Sequence, residues 1–274
     1  MEWLVLFLIG LIGGTIGSIV GLGGGIITVP ALLFLAEVDG RFHHITPPVA
    51  VGTSLALIIL TALSSTLSYT RQRRVDFASG WLFFAACGPG AAIGSYLTHF
   101  FRSGGFLVGF GLLMLGVSAV MSFRDRLRRI SLPQSVTRTF VDAEGREYTY
   151  GYHRTTALFI SFVVGIISGL FGIGGGSLLV PMMVMLYRFP PHVATATSMF
   201  IILLSAAIGS VAHAVQGNID WFAALWMAPG AWIGGQLGAA ISARMSSQSL
   251  LVTFRIAIVL VAVKMIADGM SSLS

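Results

Sequence analysis

The chain has 274 residues, 55% of them hydrophobic and only 9% charged, with a formal net charge of +6. About a quarter of a soluble domain is charged, so this composition excludes a soluble globular protein and indicates a chain embedded in a bilayer. The positive balance does not signal nucleic acid, because the arginines sit between apolar segments rather than on one aromatic-studded face.

In chain order, apolar runs bounded by polar clusters predict segments near 3–36, 48–69, 77–99, 105–123, 155–187, 193–214, 221–243 and 249–268. The expected fold is an all-α polytopic membrane protein of about eight transmembrane segments in two homologous four-segment repeats, the first helix of each repeat being broken or re-entrant. The repeats are expected at 1–123 and 155–274, with 124–154 a polar linker. The opening "MEWLVLFLIG" lacks a basic leader and a nearby small-residue cleavage site, so it reads as retained helix.

The first segment contains "GLGGGIITVP" from Gly21 to Pro30, and the fifth contains "GIGGGSLLVP" from Gly172 to Pro181. Both segments are longer than the roughly 20 residues a crossing needs, and three successive glycines cost a helix about 1 kcal/mol each relative to alanine. The expectation is a helix, an unwound stretch, and a half-helix beginning near the proline, which is comfortable only in a first turn. Unwound backbone at membrane depth must be buried in protein or line a watery cavity. The bared N–H groups of Gly23, Gly24, Gly25, Gly174, Gly175 and Gly176, with the positive end of the half-helix, favour an anion. Thr53-Ser54 and Thr197-Ser198, which open the next helix of each half, add hydroxyl donors. The spaced pairs Gly17/Gly21, Gly90/Gly94 and Gly234/Gly238 instead have the four-residue period by which membrane helices approach closely. Neither glycine cluster completes G-x-G-x-x-G and no GK[ST] follows, which removes dinucleotide and P-loop readings.

A constant shift of 144 positions superposes the halves from Thr53 onward, and the glycine clusters superpose at 151. The chain is an internal duplication. Four crossings per half make the repeats parallel, the preferred reading; a hairpin in place of one crossing makes them inverted. The arginines of the 71–76 loop and of the linker predict that this face, together with both termini, is cytoplasmic, leaving Arg41, Arg102, Arg188 and Arg244 opposite.

The duplicated G-x-G-G-G-x-x-x-x-P motif, the A-x-x-T-S stretches at Ala50 to Ser54 and Ala194 to Ser198, the "GNIDW" of 217–221 and the paired G-x-x-x-G helices resemble the sulfite exporter TauE/SafE family, also called the toluene-sulfonate uptake permeases. The first half has "RRVDF" in place of "GNIDW". The resemblance implies a permease of the bacterial inner membrane for sulfite, sulfonates or related organosulfur anions, working by alternating access. A passive anion channel and a transporter of other small organic acids are the alternatives.

Among ionisable residues, Arg255 lies inside the last segment in place of Gly111 and either contacts the anion or snorkels to the interface. Lys264 and Asp268 are spaced as an interfacial pair, and Asp76 and Asp220 are placed as helix N-caps. His213 matches Tyr69 across the repeat, and a histidine could carry a coupling proton. No His or Cys spacing suits zinc, so no metal or cofactor is expected. No nucleophile–base pair or paired carboxylates occur in the spans, which disfavours an enzyme. The expected partners are a small anionic substrate and the lipid bilayer; a coupling proton or sodium ion and a homodimer stay open.

Overall fold

A computed structural model describes residues 2–100, 103–122, 135–141, 145–175 and 178–271. Ten α-helices are described: α1 (Glu2–Val20), α2 (Gly25–Val38), α3 (Pro47–Arg71), α4 (Phe77–Leu97), α5 (Ser103–Ser122), α6 (Arg154–Phe171), α7 (Leu179–Met185), α8 (Pro191–Val215), α9 (Trp221–Arg244) and α10 (Ser247–Ser271), with single 3-10 turns at Gly40–Phe42 and Thr98–Phe100. Five of them, α1, α3, α4, α6 and α8, are long and apolar enough to cross a membrane by length and composition. The protein is an all-α polytopic membrane protein with one small insertion. That insertion is an antiparallel hairpin, β1 (Val136–Val141) and β2 (Glu147–Tyr152), pairing Val136 with Tyr152 and Val141 with Glu147. It occupies part of the stretch expected to be plain linker, where the alternation of "VTRTFV" suits a strand.

Prolines and aspartates set the helix starts. Pro47-Pro48 and Pro191 occupy first-turn positions of α3 and α8, where a missing N–H costs nothing. Asp76 caps α4 by accepting from the amides of Ala78 and Ser79, and Asp220 caps α9 by accepting from that of Ala223.

The contacts fix the direction of every pass. Gly24 packs against Gly13 and Gly17, and Thr28 against Gly13, so α2 folds back along α1 rather than continuing it. Arg41, just beyond α2, pairs with Glu2 at the start of α1. From that terminal face α3 crosses to its end at Arg71, and just beyond it the Arg74 guanidinium donates to the Ala243 carbonyl 3.2 Å away at the end of α9. The chain returns through α4 to His99, beside Asn218 on the terminal face. It then crosses by α5 to the hairpin, where Arg138 and Tyr150 meet Asp76. The second set starts at this linker face: α6 crosses away from it and α7 returns, with the Gly151 amide donating to the Tyr187 carbonyl.

Each element therefore runs opposite to its counterpart, and α3 lies antiparallel to α8, with Gly52 beside His213 and Leu55 beside Gly209. Corresponding helices of the two halves thus run in opposite directions, against the preferred parallel relation, because the glycine break reverses the chain. The same reversal corrects the expected topology: Glu2 and Ser271 lie on the face opposite the hairpin. Arg71, Arg73, Arg74, Arg138, Arg146, Arg154, Arg188 and Arg244 gather on the linker face, against Arg41 on the other, among the described residues. Arg188 and Arg244 thus move to the face rich in arginine.

Packing interlaces the halves. Carbonyls of α1 (Phe7, Leu11, Thr15) press on Gly230, Gly234 and Gly238 of α9, while carbonyls of α6 (Phe162, Ile166) press on Gly90 and Gly94 of α4. Side chains such as Ile233, Leu237 and Ile241 of α9, or Val252, Ile256, Leu260 and Val263 of α10, are exposed at helical spacing and face lipid.

Candidate functional site where the two breaks meet

Ile58 and Ile202 stand at matching positions midway along α3 and α8, and both glycine breaks converge on them. A methyl group added at Gly23 would lie 2.9 Å from Cγ2 of Ile202 and 3.0 Å from Cγ2 of Ile58; one added at Gly174 would meet the same two atoms at 2.9 and 3.4 Å. Gly25 touches Gly172 and Ile173 directly, so the breaks meet tip to tip. Gly21, Gly23, Gly24, Gly172 and Gly174 all have positive φ, between 70° and 99°, a region costly for residues with a side chain.

The second helix of the first break starts at once. Gly24, at φ 99°, is the N-cap of α2, and Pro30 falls in the second turn instead of opening the helix. In the other break Pro181 does sit in the first turn of α7. The amides of Gly25 and Ile26, at the start of α2, have no acceptor within their own helix. The amide of Gly175 donates to Ser205 Oγ at 3.0 Å. Gly176 lies outside the described residues, as does the side chain of Arg255, which belongs to α10.

All four hydroxyl residues are fully buried around this point. Ser54 Oγ donates to the Gly172 carbonyl at 3.1 Å, and Ser198 Oγ to the Gly21 carbonyl at 3.0 Å. Each serine therefore clamps the break of the opposite half. Thr53 Oγ1 accepts from the Asp220 amide at 2.9 Å and Thr197 Oγ1 from the Asp76 amide at 3.0 Å. The serines partly offset the negative ends of the Gly21 and Gly172 carbonyls, Ser198 sharing its proton with the Thr195 carbonyl at 2.8 Å.

Sequence reasoning did not find Ser205, Ile58 or Ile202, although the 144-residue shift maps Ile58 on Ile202 and Thr61 on Ser205. It also missed the cover over the linker-face end. Tyr150 Oη donates to Asp76 Oδ2 at 2.8 Å, Arg138 lies 3.3 Å from Oδ1, and the Tyr150 ring stacks against Phe189 with centroids 3.9 Å apart. Burial, followed by the adjacent Asp76 carboxylate, pushes the Tyr150 hydroxyl far above its usual range. Lys264 lies over the Phe34 ring, 4.0 Å from its centroid, and the Asp268 side chain lies outside the described residues.

An apolar groove of about 340 Å³ between α5, α6 and α7, lined by Leu113, Phe159, Val163, Ile167, Pro181 and Met182, offers no polar group and does not suit an anion. Among the described residues no cluster of three His, Cys, Asp or Glu side chains could hold a metal ion.

The family model "Sulfite exporter TauE/SafE" matches residues 6–265. The chain belongs to the TauE/SafE sulfite exporter family. Within it, the chain is 47% identical to the "Probable membrane transporter protein YunE" of Bacillus subtilis, over 99% of this chain and all of that one. It is 27% identical to a "Probable membrane transporter protein" of Xylella fastidiosa, over 95% of each chain. A further Bacillus subtilis relative, "Probable membrane transporter protein YdhB", is 26% identical over 86% of this chain and 87% of its own. No solved structure matches the chain. As a TauE/SafE member it is a multi-pass membrane transporter and not an enzyme.

Proposed function

We propose that this transporter moves small sulfur-containing anions, such as sulfite or sulfonates, across the bacterial inner membrane by alternating access. The cargo sits where the two glycine breaks meet, held by the backbone of Gly23, Gly24, Gly25, Gly174, Gly175 and Gly176 and framed by Thr53, Ser54, Thr197 and Ser198, with Arg255 as a further candidate contact. The observation that carries this reading is the convergence of both breaks on Ile58 and Ile202 at mid-depth. Inverted repeats with a site at their interface are the arrangement in which rocking one half against the other exposes that site to each side in turn. By the positive-inside rule the linker face is cytoplasmic.

No full charge among the described residues lies at the meeting point, so the cargo is gripped by dipoles and can be released again. A thermal-shift series on the detergent-solubilised protein tests the substrate class. A ligand at about a hundred times its dissociation constant adds about 2.7 kcal/mol to native stability. Sulfite, thiosulfate and short sulfonates are expected to raise the melting temperature, and carboxylates and amino acids to leave it in place. Stabilisation by carboxylates alone would reject the sulfur-anion reading.

A further inference from the structure

On the terminal face, one buried histidine sits beside the second break with its ring incompletely satisfied. His213, in the last turn of α8, is fully buried. The Gly169 backbone, in the last turn of α6, lies beside the ring, and Nε2 completes no hydrogen bond. Gly169 lies three residues before Gly172, the first residue of the break, and its carbonyl belongs to the helix end that attracts positive charge.

The other ring nitrogen faces a second histidine through an amide. Asn218 Nδ2 lies 3.5 Å from His213 Nδ1, 3.2 Å from His99 Nε2 and 3.4 Å from Gln216 Oε1. That nitrogen has two hydrogens for three acceptors, so one acceptor always goes short. Turning the amide over presents Oδ1 instead, and this oxygen accepts from both rings when each carries its N–H on the nitrogen facing it. His99 is exposed at the end of α4 and Asn218 is almost fully buried, so the three groups run from the surface to the interior.

We propose that His213 binds a coupling proton that enters from the terminal face on the side of His99 and Asn218, and that the proton and the cargo anion are carried together. The inference rests on the transporter reading given above. One proton adds to His213 Nδ1, converting imidazole to imidazolium, and the same proton leaves when the site opens to the other side; no other bond changes. An anion in the adjoining break and the carbonyl end of α6 offset the cost of placing the imidazolium in a buried site beside His99, and the anion is favoured by it in return. The titratable and charged groups on this face include His99 from the turn after α4, Asp220 from the start of α9, His44 from the turn after α2, which lies 2.9 Å from Asp220, and, at the ends of α1 and α2, Glu2, Asp39, Arg41 and His43. From α3 and α6 the neighbours are Gly52 and Gly169, neither ionisable.

The other half supplies the control substitution. Tyr69 is the counterpart of His213, and its hydroxyl donates at 2.8 Å to the carbonyl of Ser18, the counterpart of Gly169. His213→Tyr therefore places in the second half a group the fold already accommodates in the first, and one that does not titrate near neutral pH.

The test uses full-length protein in proteoliposomes enclosing a pH-sensitive dye, with methanesulfonate as the probe because this strong acid carries no proton of its own. In the wild type, an inward methanesulfonate gradient is expected to drive protons inward. In His213→Tyr, exchange of labelled methanesulfonate is expected to persist while proton entry falls to the leak of empty liposomes. Undiminished proton entry in the variant, protons moving against the anion, or wild-type exchange without proton movement overturns the proposal.

Absence of methanesulfonate exchange in the wild type refutes the sulfonate reading instead, and the proton site is then decided without cargo. Exchange of the imidazole C2 hydrogen is followed by mass spectrometry between about pH 4 and 9. An inflection at His213 that moves in His99→Ala supports the site, and a flat profile overturns it.

Discussion

Tyr150 and Arg138 belong to the long polar stretch between the halves, yet both close on Asp76, a carboxylate that also caps α4 and whose amide is held by Thr197. The hairpin is thereby tied to the frame of the first break. Loss of the Tyr150 hydroxyl removes a hydrogen bond to a charged acceptor, worth about 1.5–3 kcal/mol. The pH dependence follows from the raised hydroxyl. Its folded value exceeds the ordinary 10.0, so its contribution is complete below about pH 10 and is lost as pH rises through the folded value. Burial raises Tyr152 and Tyr187 in the same direction. Protease cleavage within 142–146 is expected to speed up above about pH 10 in the wild type. Tyr150→Phe is expected to be cut faster at neutral pH and to show a smaller alkaline increase. Equal rates for the two proteins at neutral pH would remove the link to Asp76.

At the level of single helices, the spaced glycines were legible in the sequence because a small residue every fourth position has one common physical use, close approach of backbones. Gly234 and Gly238 accept Leu11 and Thr15 carbonyls, and Gly90 and Gly94 accept Phe162 and Ile166 carbonyls. Gly238→Leu drives a side chain into α1 and is expected to cost about 1–3 kcal/mol, as overpacking typically does. Gly116→Leu, where nothing lies within 4 Å, is the control and is expected to leave the melting temperature in place. Equal melting temperatures for the two variants would contradict the α1·α9 contact. The start of α2 was less legible. Pro30 suggested a first turn, but the left-handed Gly24 starts the helix earlier, so the proline marks the half-helix without marking its beginning. The hairpin was missed because six alternating residues in a polar stretch give a weak signal beside so much apolar helix.

For the whole molecule, residue chemistry located the breaks, and the offset between the halves paired Ile58 with Ile202, but direction stayed hidden. A glycine cluster serves equally for a kink that continues across the bilayer and for a turn that goes back. The contacts of Gly24 with Gly13 and Gly17, of Thr28 with Gly13 and of Arg41 with Glu2 distinguish the two. That one reversal runs corresponding helices of the two halves in opposite directions, separates the chain ends from the hairpin, and brings the breaks tip to tip. The roles expected of Thr53, Ser54, Thr197 and Ser198 become more specific in the same way: their hydroxyls hold backbone of the opposite half, so each break is braced by the half that must move relative to it.

The meeting point is best probed at Gly23 and Gly174, because an added methyl there meets the flexible side chains of Ile58 and Ile202. Gly24 is a poorer choice: an added methyl would lie 2.8 Å from the Gly13 carbonyl oxygen, so any side chain there endangers the fold itself. The decisive measurement is saturable counterflow of labelled sulfite or methanesulfonate in proteoliposomes, for wild type, Gly23→Ala and Gly174→Ala, with melting temperatures taken alongside. The account predicts that both variants stay folded, each losing about 1–2 kcal/mol to its left-handed backbone, and that both lose counterflow. Unchanged counterflow in two folded variants would contradict it.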